Sequence, residues 1–278
     1  MTSFAFSIIE KQRVRLSIFS SIRLNCETRC GTELLSKRSH SSYICIVSVI
    51  GIYDSGIGGL TTLNEIRKAF GTNDFFYYSD NLNHPFGVKT NDELKEIVSQ
   101  AIEKMKQRCD VIVLACNTAS SVYEKDDVIK LLPPLEDVDK GSSLLMATQS
   151  TINNVDARFI ATADTKELAS LIEIQAFLNQ KRCSLNMDAL SIYLKTKLFR
   201  FKGVKTVILG CSHYPYCKSQ IEKILGNVTF IDGNRGVIKA LKKQNLDGVG
   251  NGNITFEFNG ENREKEYRKI LSLYSSQN

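Results

Sequence analysis

Two cysteines stand at matching places in two similar stretches of the chain, Cys116 in Asp110-Val-Ile-Val-Leu-Ala-Cys-Asn-Thr118 and Cys211 in Lys205-Thr-Val-Ile-Leu-Gly-Cys-Ser-His213. Each closes an apolar run too short for a typical helix and rich in Val, Ile and Leu, which reads as a buried strand. Ligands of open α/β sheets bind at the carboxyl ends of strands. Two thiols so placed could flank one substrate, one removing a proton from a carbon and the other returning a proton to its opposite face. A thiol of ordinary pKa, roughly 8.5, is only slightly ionised at neutral pH, so this chemistry needs a neighbour or a helix dipole to activate it. His213, two residues beyond Cys211, is such a neighbour. Glu173, the one acid in the apolar context after Leu168, is placed to orient His213 or else to be a solvated helix residue. A lone buried Cys is more often an inert small hydrophobe; the repetition favours chemistry.

A third candidate is the loop Asp54-Ser-Gly-Ile-Gly-Gly59. It lacks the third spaced glycine of a dinucleotide fingerprint and carries an acid at its entry, so a nicotinamide cofactor is rejected. Its backbone N–H groups and the helix that follows suit a carboxylate. Asp54 then meets an amine or a thiol, or simply caps the helix.

The elements that must hold these residues are those of a parallel α/β protein. Tyr43–Tyr53 reads as a strand, and Leu60, Leu63, Ile66, Arg67 and Phe70 recur at helical spacing. Phe75–Tyr78 is a second strand, followed by a turn at Pro85-Phe86-Gly87. Thr90-x-x-Glu93 forms a capping box for a helix with apolar face Leu94, Ile97, Val98, Ala101, Ile102 and Met105, leading into the first cysteine strand. Pro133-Pro134 and the polar residues to Ser143 mark a crossing. A second unit starts at Leu144–Ala147, contains a helix over Glu167–Leu178 and ends in the second cysteine strand. Ile221, Ile224 and Leu225 continue as a helix, then a strand at Val228–Ile231. Ile254–Phe258 and Glu264–Tyr274 read as a strand and helix returning to the first domain. The expected organisation is an N-terminal extension over 1–42, a first α/β domain of 43–138 plus 233–278, and a second of 139–232, two similar parallel-sheet α/β units whose thiols flank one site if the halves face each other.

The chain has 278 residues and a formal charge of +6, of which the first 42 residues, with seven Lys/Arg and three Asp/Glu, supply +4. The rest is nearly balanced, without the basic, aromatic-laced patch of a nucleic-acid binder. The longest apolar stretches, Ile44–Ile50 and Val111–Cys116, fall far below the ~18 residues of a membrane span. Eight cysteines in a chain of this length point to reduced thiols and a cytoplasmic setting rather than a disulfide scaffold. Cys26-x3-Cys30 and Cys211-x5-Cys217 lack a second ligand pair at zinc-finger spacing, so no metal is expected. The Ser- and Arg-rich start reads as an over-extended frame, a disordered tail or an organelle transit segment.

From about Ile50 to Leu271 the chain resembles glutamate racemase. The motifs are collinear: Ile52-Tyr-Asp-Ser-Gly-Ile-Gly-Gly-Leu60, Tyr78-Ser-Asp80, Pro85-Phe-Gly87, Ala115-Cys-Asn-Thr-Ala119 and Leu209-Gly-Cys-Ser-His-Tyr-Pro215, with a weaker match at Ala147-Thr148, Thr151 and Leu171-Ile-Glu173. The resemblance implies a cofactor-independent isomerase that interconverts L- and D-glutamate for peptidoglycan. Cys116 and Cys211 would be the proton-transfer pair, with Asp54 and His213 assisting and Glu173 supporting. The substrate would be held by Asp54, Ser55, Phe86, Gly87, Asn117, Thr118, Ser212 and His213. A homodimer is expected on the same ground. Phe86 stands where the family usually has Tyr, and Ser212 where it has Thr. The turn Asp80-Asn-Leu-Asn-His84 departs from the family pattern, and the segment between Thr151 and Glu173 is about ten residues short. An aspartate racemase of the same superfamily, or a non-catalytic descendant that binds an amino acid or a protein, are the alternatives.

Overall fold

The central strand of the protein, β1 (Val49–Asp54), is buried on both faces, as a parallel strand covered by helices must be. Its side chains alternate: Ile50 and Ile52 enter one apolar cluster and Tyr53 the opposite one. A computed structural model describes residues 48–136, 138–180, 187–244, 246 and 250–277. The N-terminal extension over 1–42 and the first residues of the expected strand, 43–47, lie outside the described residues.

After β1 come α1 (Gly59–Ala69), β2 (Asp74–Ser79), a 3-10 turn (Phe86–Val88), α2 (Asn91–Met105), β3 (Val111–Leu114), α3 (Asn117–Val122) and β4 (Ile129–Lys130). The α2 capping box forms as the sequence predicts, Thr90 Oγ1 accepting from Glu93 N–H and the Glu93 carboxylate accepting from Thr90 N–H. The second half contains β5 (Ser143–Ala147), α4 (Gln149–Asn154), β6 (Ala161–Asp164), α5 (Leu168–Gln180), α6 (Met187–Leu198), β7 (Thr206–Gly210), α7 (Lys218–Leu225), β8 (Thr229–Asp232) and α8 (Asn234–Lys242). The chain closes with β9 (Ile254–Phe258) and α9 (Glu264–Gln277).

The strands form two parallel sheets, ordered β4-β3-β1-β2-β9 and β6-β5-β7-β8. In the first, the chain steps from β1 to β2 and then crosses back to β3 on the other side of β1. In the second it steps from β5 to β6 and crosses back to β7. Each sheet therefore has one switch point, between β1 and β3 and between β5 and β7, where the departing loops diverge and leave a crevice. Cys116 lies just beyond β3 and Cys211 just beyond β7. One apolar cluster runs through both sheets, joining Ile52, Leu60 and Leu63 to Leu144, Met146, Leu168 and Tyr214. Burying each Leu or Ile of the α1 face contributes about 1.5–3 kcal/mol.

Six elements among the described residues add to the expected set, α3, β4, α4, β6, α6 and α8. β6, Ala-Thr-Ala-Asp, has no run of large β-branched residues to announce it, and takes its place by pairing with β5. α4 is a six-residue helix capped by Thr148. α6 carries Leu190, Leu194 and Leu198, spaced by four and all buried.

Candidate active site

Asp54 ends β1 and is fully buried, yet it does not cap α1. The N-cap is Gly58, without a side-chain cap bond. Asp54 Oδ1 instead accepts from Gly56 N–H at 2.8 Å, and Oδ2 accepts from the Ser212 hydroxyl at 2.9 Å, linking the two sheets at their switch points. Burial raises the Asp54 carboxyl above its ordinary pKa, against the opposing influence of His213 and these hydrogen bonds. Thr61 adds a second tie between the sheets, its hydroxyl donating to the Ser212 carbonyl at 3.1 Å.

The glycine loop is shaped by what packs on it. A Cβ on Gly56 would sit 1.8 Å from Glu173 Oε1, and one on Gly58 2.4 Å from His213 Nδ1. The loop amides expected to receive a substrate carboxylate are partly occupied by the protein's own carboxylates: Gly56 N–H by Asp54, and Ile57 N–H by Glu173 Oε1 at 2.9 Å. Tyr77 and Tyr216 complete the loop's support, donating to the carbonyls of Gly56 and Ile57. Neither tyrosine was singled out from the sequence, because both sit in runs that read as packing residues.

Cys116 occupies the N-cap position of α3 and lies 4.0 Å from Ser55 Oγ. Burial, and then the nearby Asp54 charge, pushes its thiol up from the ordinary value, with the Cys211 charge acting in the same sense. Asn117 donates to the Leu131 carbonyl, and its Oδ1 is buried without a partner. Thr118 Oγ1 is 3.0 Å from Thr148 Oγ1, which is 3.1 Å from Thr151 Oγ1, so three buried hydroxyls bridge the ends of β3 and β5.

Cys211 lies 3.8 Å from His213 Nδ1, and His213 Nε2 is 2.9 Å from Glu173 Oε1. Thiol, imidazole and carboxylate form one relay. Burial alone would lower the His213 pKa, but its hydrogen bonds to Cys211 and Glu173 hold it well above the usual histidine value. Burial would likewise raise Glu173, but the His213 hydrogen bond, the charges of His84 and His213 and the Ile57 N–H keep it below the usual carboxylate range. The crossover from β5 through α4 and β6 delivers Glu173 to His213.

Phe86 is buried against Tyr53, with ring centroids 6.3 Å apart. Gly87 approaches the second sheet so closely that a Cβ would lie 2.8 Å from Thr148 Cγ2. The divergent turn is firmly built. Asp80 accepts from the Tyr53 hydroxyl, Asn83 and Asn259, and its N–H donates to the Asp54 carbonyl. His84 was named from the sequence only as part of this turn; the fold brings it beside Glu173 and His213. Cys109, Cys116, Cys211 and Cys217 are free thiols, and Cys217 donates to the Tyr214 carbonyl. Cys26 and Cys30 lie outside the described residues. Among the described residues no helix is long and apolar enough to cross a membrane.

No protein-family model matches the chain. Glutamate racemase 2 of Bacillus subtilis (strain 168) is 31% identical over 248 residues, covering 81% of this chain and 93% of the relative. The chain belongs to the glutamate racemase family. A glutamate racemase of Clostridium kluyveri is 33% identical over 221 residues, covering 70% of this chain and 83% of its own. Among solved structures, glutamate racemase from Thermus thermophilus in complex with beta-chloro-D-alanine superposes with a TM-score of 0.66 at 25% identity, over 81% of this chain and 92% of that one. The Escherichia coli glutamate racemase, in complex with L-glutamate and the activator UDP-MurNAc-Ala, shares the fold with a TM-score of 0.68 at 22% identity, over 82% and 95% of the two chains. Glutamate racemases are amino-acid racemases, hence isomerases, and this chain is one of that class.

Proposed function

We propose that this protein interconverts L- and D-glutamate by two-base proton transfer between Cys116 and Cys211. The observation that carries the reading is the placement of one free thiol at the switch point of each sheet, the two tied together by the Asp54–Ser212 bond. Its supports are the family membership and the T. thermophilus relative that binds a D-configured amino-acid analogue.

One thiolate removes the α-proton, and the electron pair moves into the adjacent carboxylate as an enediolate. The opposite thiol then returns a proton to the other face. The two sulfurs exchange protonation states over one turnover, and no atom is gained or lost. Asp54 assists at Cys116 and His213 at Cys211, with Glu173 a positioning residue for His213. Ser55, Asn117, Thr118 and Ser212 supply side-chain polar groups, and Phe86 and Gly87 backbone, to hold the substrate. A donor aimed at the developing oxyanion contributes about 2.7–4 kcal/mol in comparable sites. D-Glutamate made in the cytoplasm would serve peptidoglycan synthesis.

Incubation of the purified protein with L-glutamate in deuterated water tests this. The expected result is loss of the α-proton resonance with appearance of D-glutamate, and Cys116→Ser and Cys211→Ser each abolishing inversion. Exchange of aspartate but not glutamate, or of neither, overturns it.

A further inference from the structure

His84 occupies an unusual position. Its side chain is 12% exposed, yet neither ring nitrogen has a hydrogen-bond partner, an arrangement that costs the desolvation of both groups. The ring lies 5.6 Å from that of His213, centroid to centroid. Its Nε2 is 3.6 Å from Glu173 Oε2, the carboxylate oxygen left over when Oε1 serves His213 and Ile57. One donor atom from each of His84, Glu173 and His213 falls within 4.8 Å of the other two.

The geometry points to a transition-metal site built from His84, Glu173 and His213, taking a divalent ion of the zinc class. Two imidazole nitrogens and one carboxylate oxygen are a recognised zinc donor set with a fourth position left open. Zinc bonds of ~2.0–2.1 Å place tetrahedral ligands roughly 3.3 Å apart. His84 Nε2 lies 3.6 Å from Glu173 Oε2, close to that value, while His213 Nε2 lies 2.9 Å from the other oxygen of the same carboxylate, Oε1, and one donor atom from each residue falls within 4.8 Å of the other two. The second shell is also in place. A histidine ligated through Nε2 carries its proton on Nδ1, and His213 Nδ1 faces the Cys211 sulfur at 3.8 Å. Asp80 fixes the turn that carries His84 through its bonds to Tyr53, Asn83 and Asn259, so His84 is held at the site rather than swung to it.

Metal capture displaces the proton shared by His213 Nε2 and Glu173 and removes both groups from the relay behind Cys211. On the reading proposed above, the bound ion therefore inhibits racemisation; this clause rests on that reading, whereas the site itself does not.

The test titrates metal-free, full-length protein under reducing conditions with Co²⁺, read by visible d–d absorption, with His84→Phe and His84→Asn as variants. The site predicts one equivalent with tetrahedral bands, no thiolate-to-cobalt charge transfer, displacement by Zn²⁺, and affinity at least ~100-fold weaker in both variants. Both variants should keep their activity in chelator, which shows that they fold, and should resist Zn²⁺ inhibition. Absence of bands in the wild type, wild-type affinity in either variant, or charge-transfer bands marking cysteine ligation overturns the site. A protein that binds Co²⁺ as described but does not racemise glutamate refutes the functional reading alone.

Discussion

The hydroxyl of Ser212, from the sheet of β7, donates across 2.9 Å to the buried carboxylate of Asp54 at the end of β1. This bond joins the surroundings of the two thiols, and it holds a charge where a charge is costly. Because burial raises the Asp54 pKa, the folded protein binds this proton more tightly than the unfolded chain. The group thus favours folding at low pH, and that contribution is lost as pH rises through its folded pKa. Asp54→Asn should therefore raise the melting temperature at pH 7, by roughly 2–4 °C for a relief of about 1 kcal/mol, while abolishing activity. The gain should vanish in scans at acid pH. A variant less stable than wild type at pH 7 contradicts the account.

Cys116 is pushed up by burial and then by Asp54, so its thiolate fraction is small at neutral pH and grows about tenfold per pH unit below its pKa. Peptide-resolved iodoacetamide labelling should be slow at pH 7 and rise steeply toward alkaline pH. In Asp54→Asn, Cys116 should label faster wherever Asp54 would be ionised, since a carboxylate that disfavours the thiolate is gone. Equal rates in the two proteins would rule out the coupling.

Glu173→Gln keeps an oxygen for Ile57 N–H but removes the charge that sustains His213. The kcat should fall by about 10²-fold, with KM changed much less, as for loss of a positioned proton-transfer group. Glu173→Ala also leaves the Ile57 N–H without its acceptor and should lose a further ~1–3 kcal/mol of stability. Measuring kcat, KM and thermal unfolding for both separates the two roles.

Gly56→Ala places a methyl group on Glu173 Oε1, at 1.8 Å before relaxation. The loop or the carboxylate must shift, at a cost of about 1–3 kcal/mol typical of overpacking. The variant should be less stable and nearly inactive, and Gly56→Ala added to a Glu173→Ala chain should cost little further stability, because the atom it clashes with is gone. An equal cost in both chains would mean that the clash is relieved elsewhere.

The parts of the site carried by local pattern were legible. Apolar runs ending in Cys116 and Cys211 announced strands, and both thiols stand at their carboxyl ends. The Thr90–Glu93 box fixed a helix start. What escaped depended on long-range contact. β6 has little strand character of its own and exists by pairing with β5. Asp54 read equally as a partner for an amine or thiol and as a helix cap, and only the meeting of the two sheets assigns its second oxygen to Ser212. His84 seemed a mere departure in a turn, because its partners are 89 and 129 positions further on. The spacing of Leu190, Leu194 and Leu198 carried a readable helix signal within a segment of mixed apolar and polar residues.

The contact among Thr118, Thr148 and Thr151 has a consequence for how the crevice receives a guest. Each hydroxyl can give a hydrogen bond and also take one, so the direction of the chain Thr118–Thr148–Thr151 is not fixed by its heavy atoms. An anion arriving beside Thr118 or Thr148 needs donors, and turning a few hydroxyl hydrogens provides them. Neither β3 nor β5 has to move for this, and the ring of threonines, closed by a 3.5 Å contact between the Thr151 and Thr118 hydroxyls, serves as a store of reversible polarity.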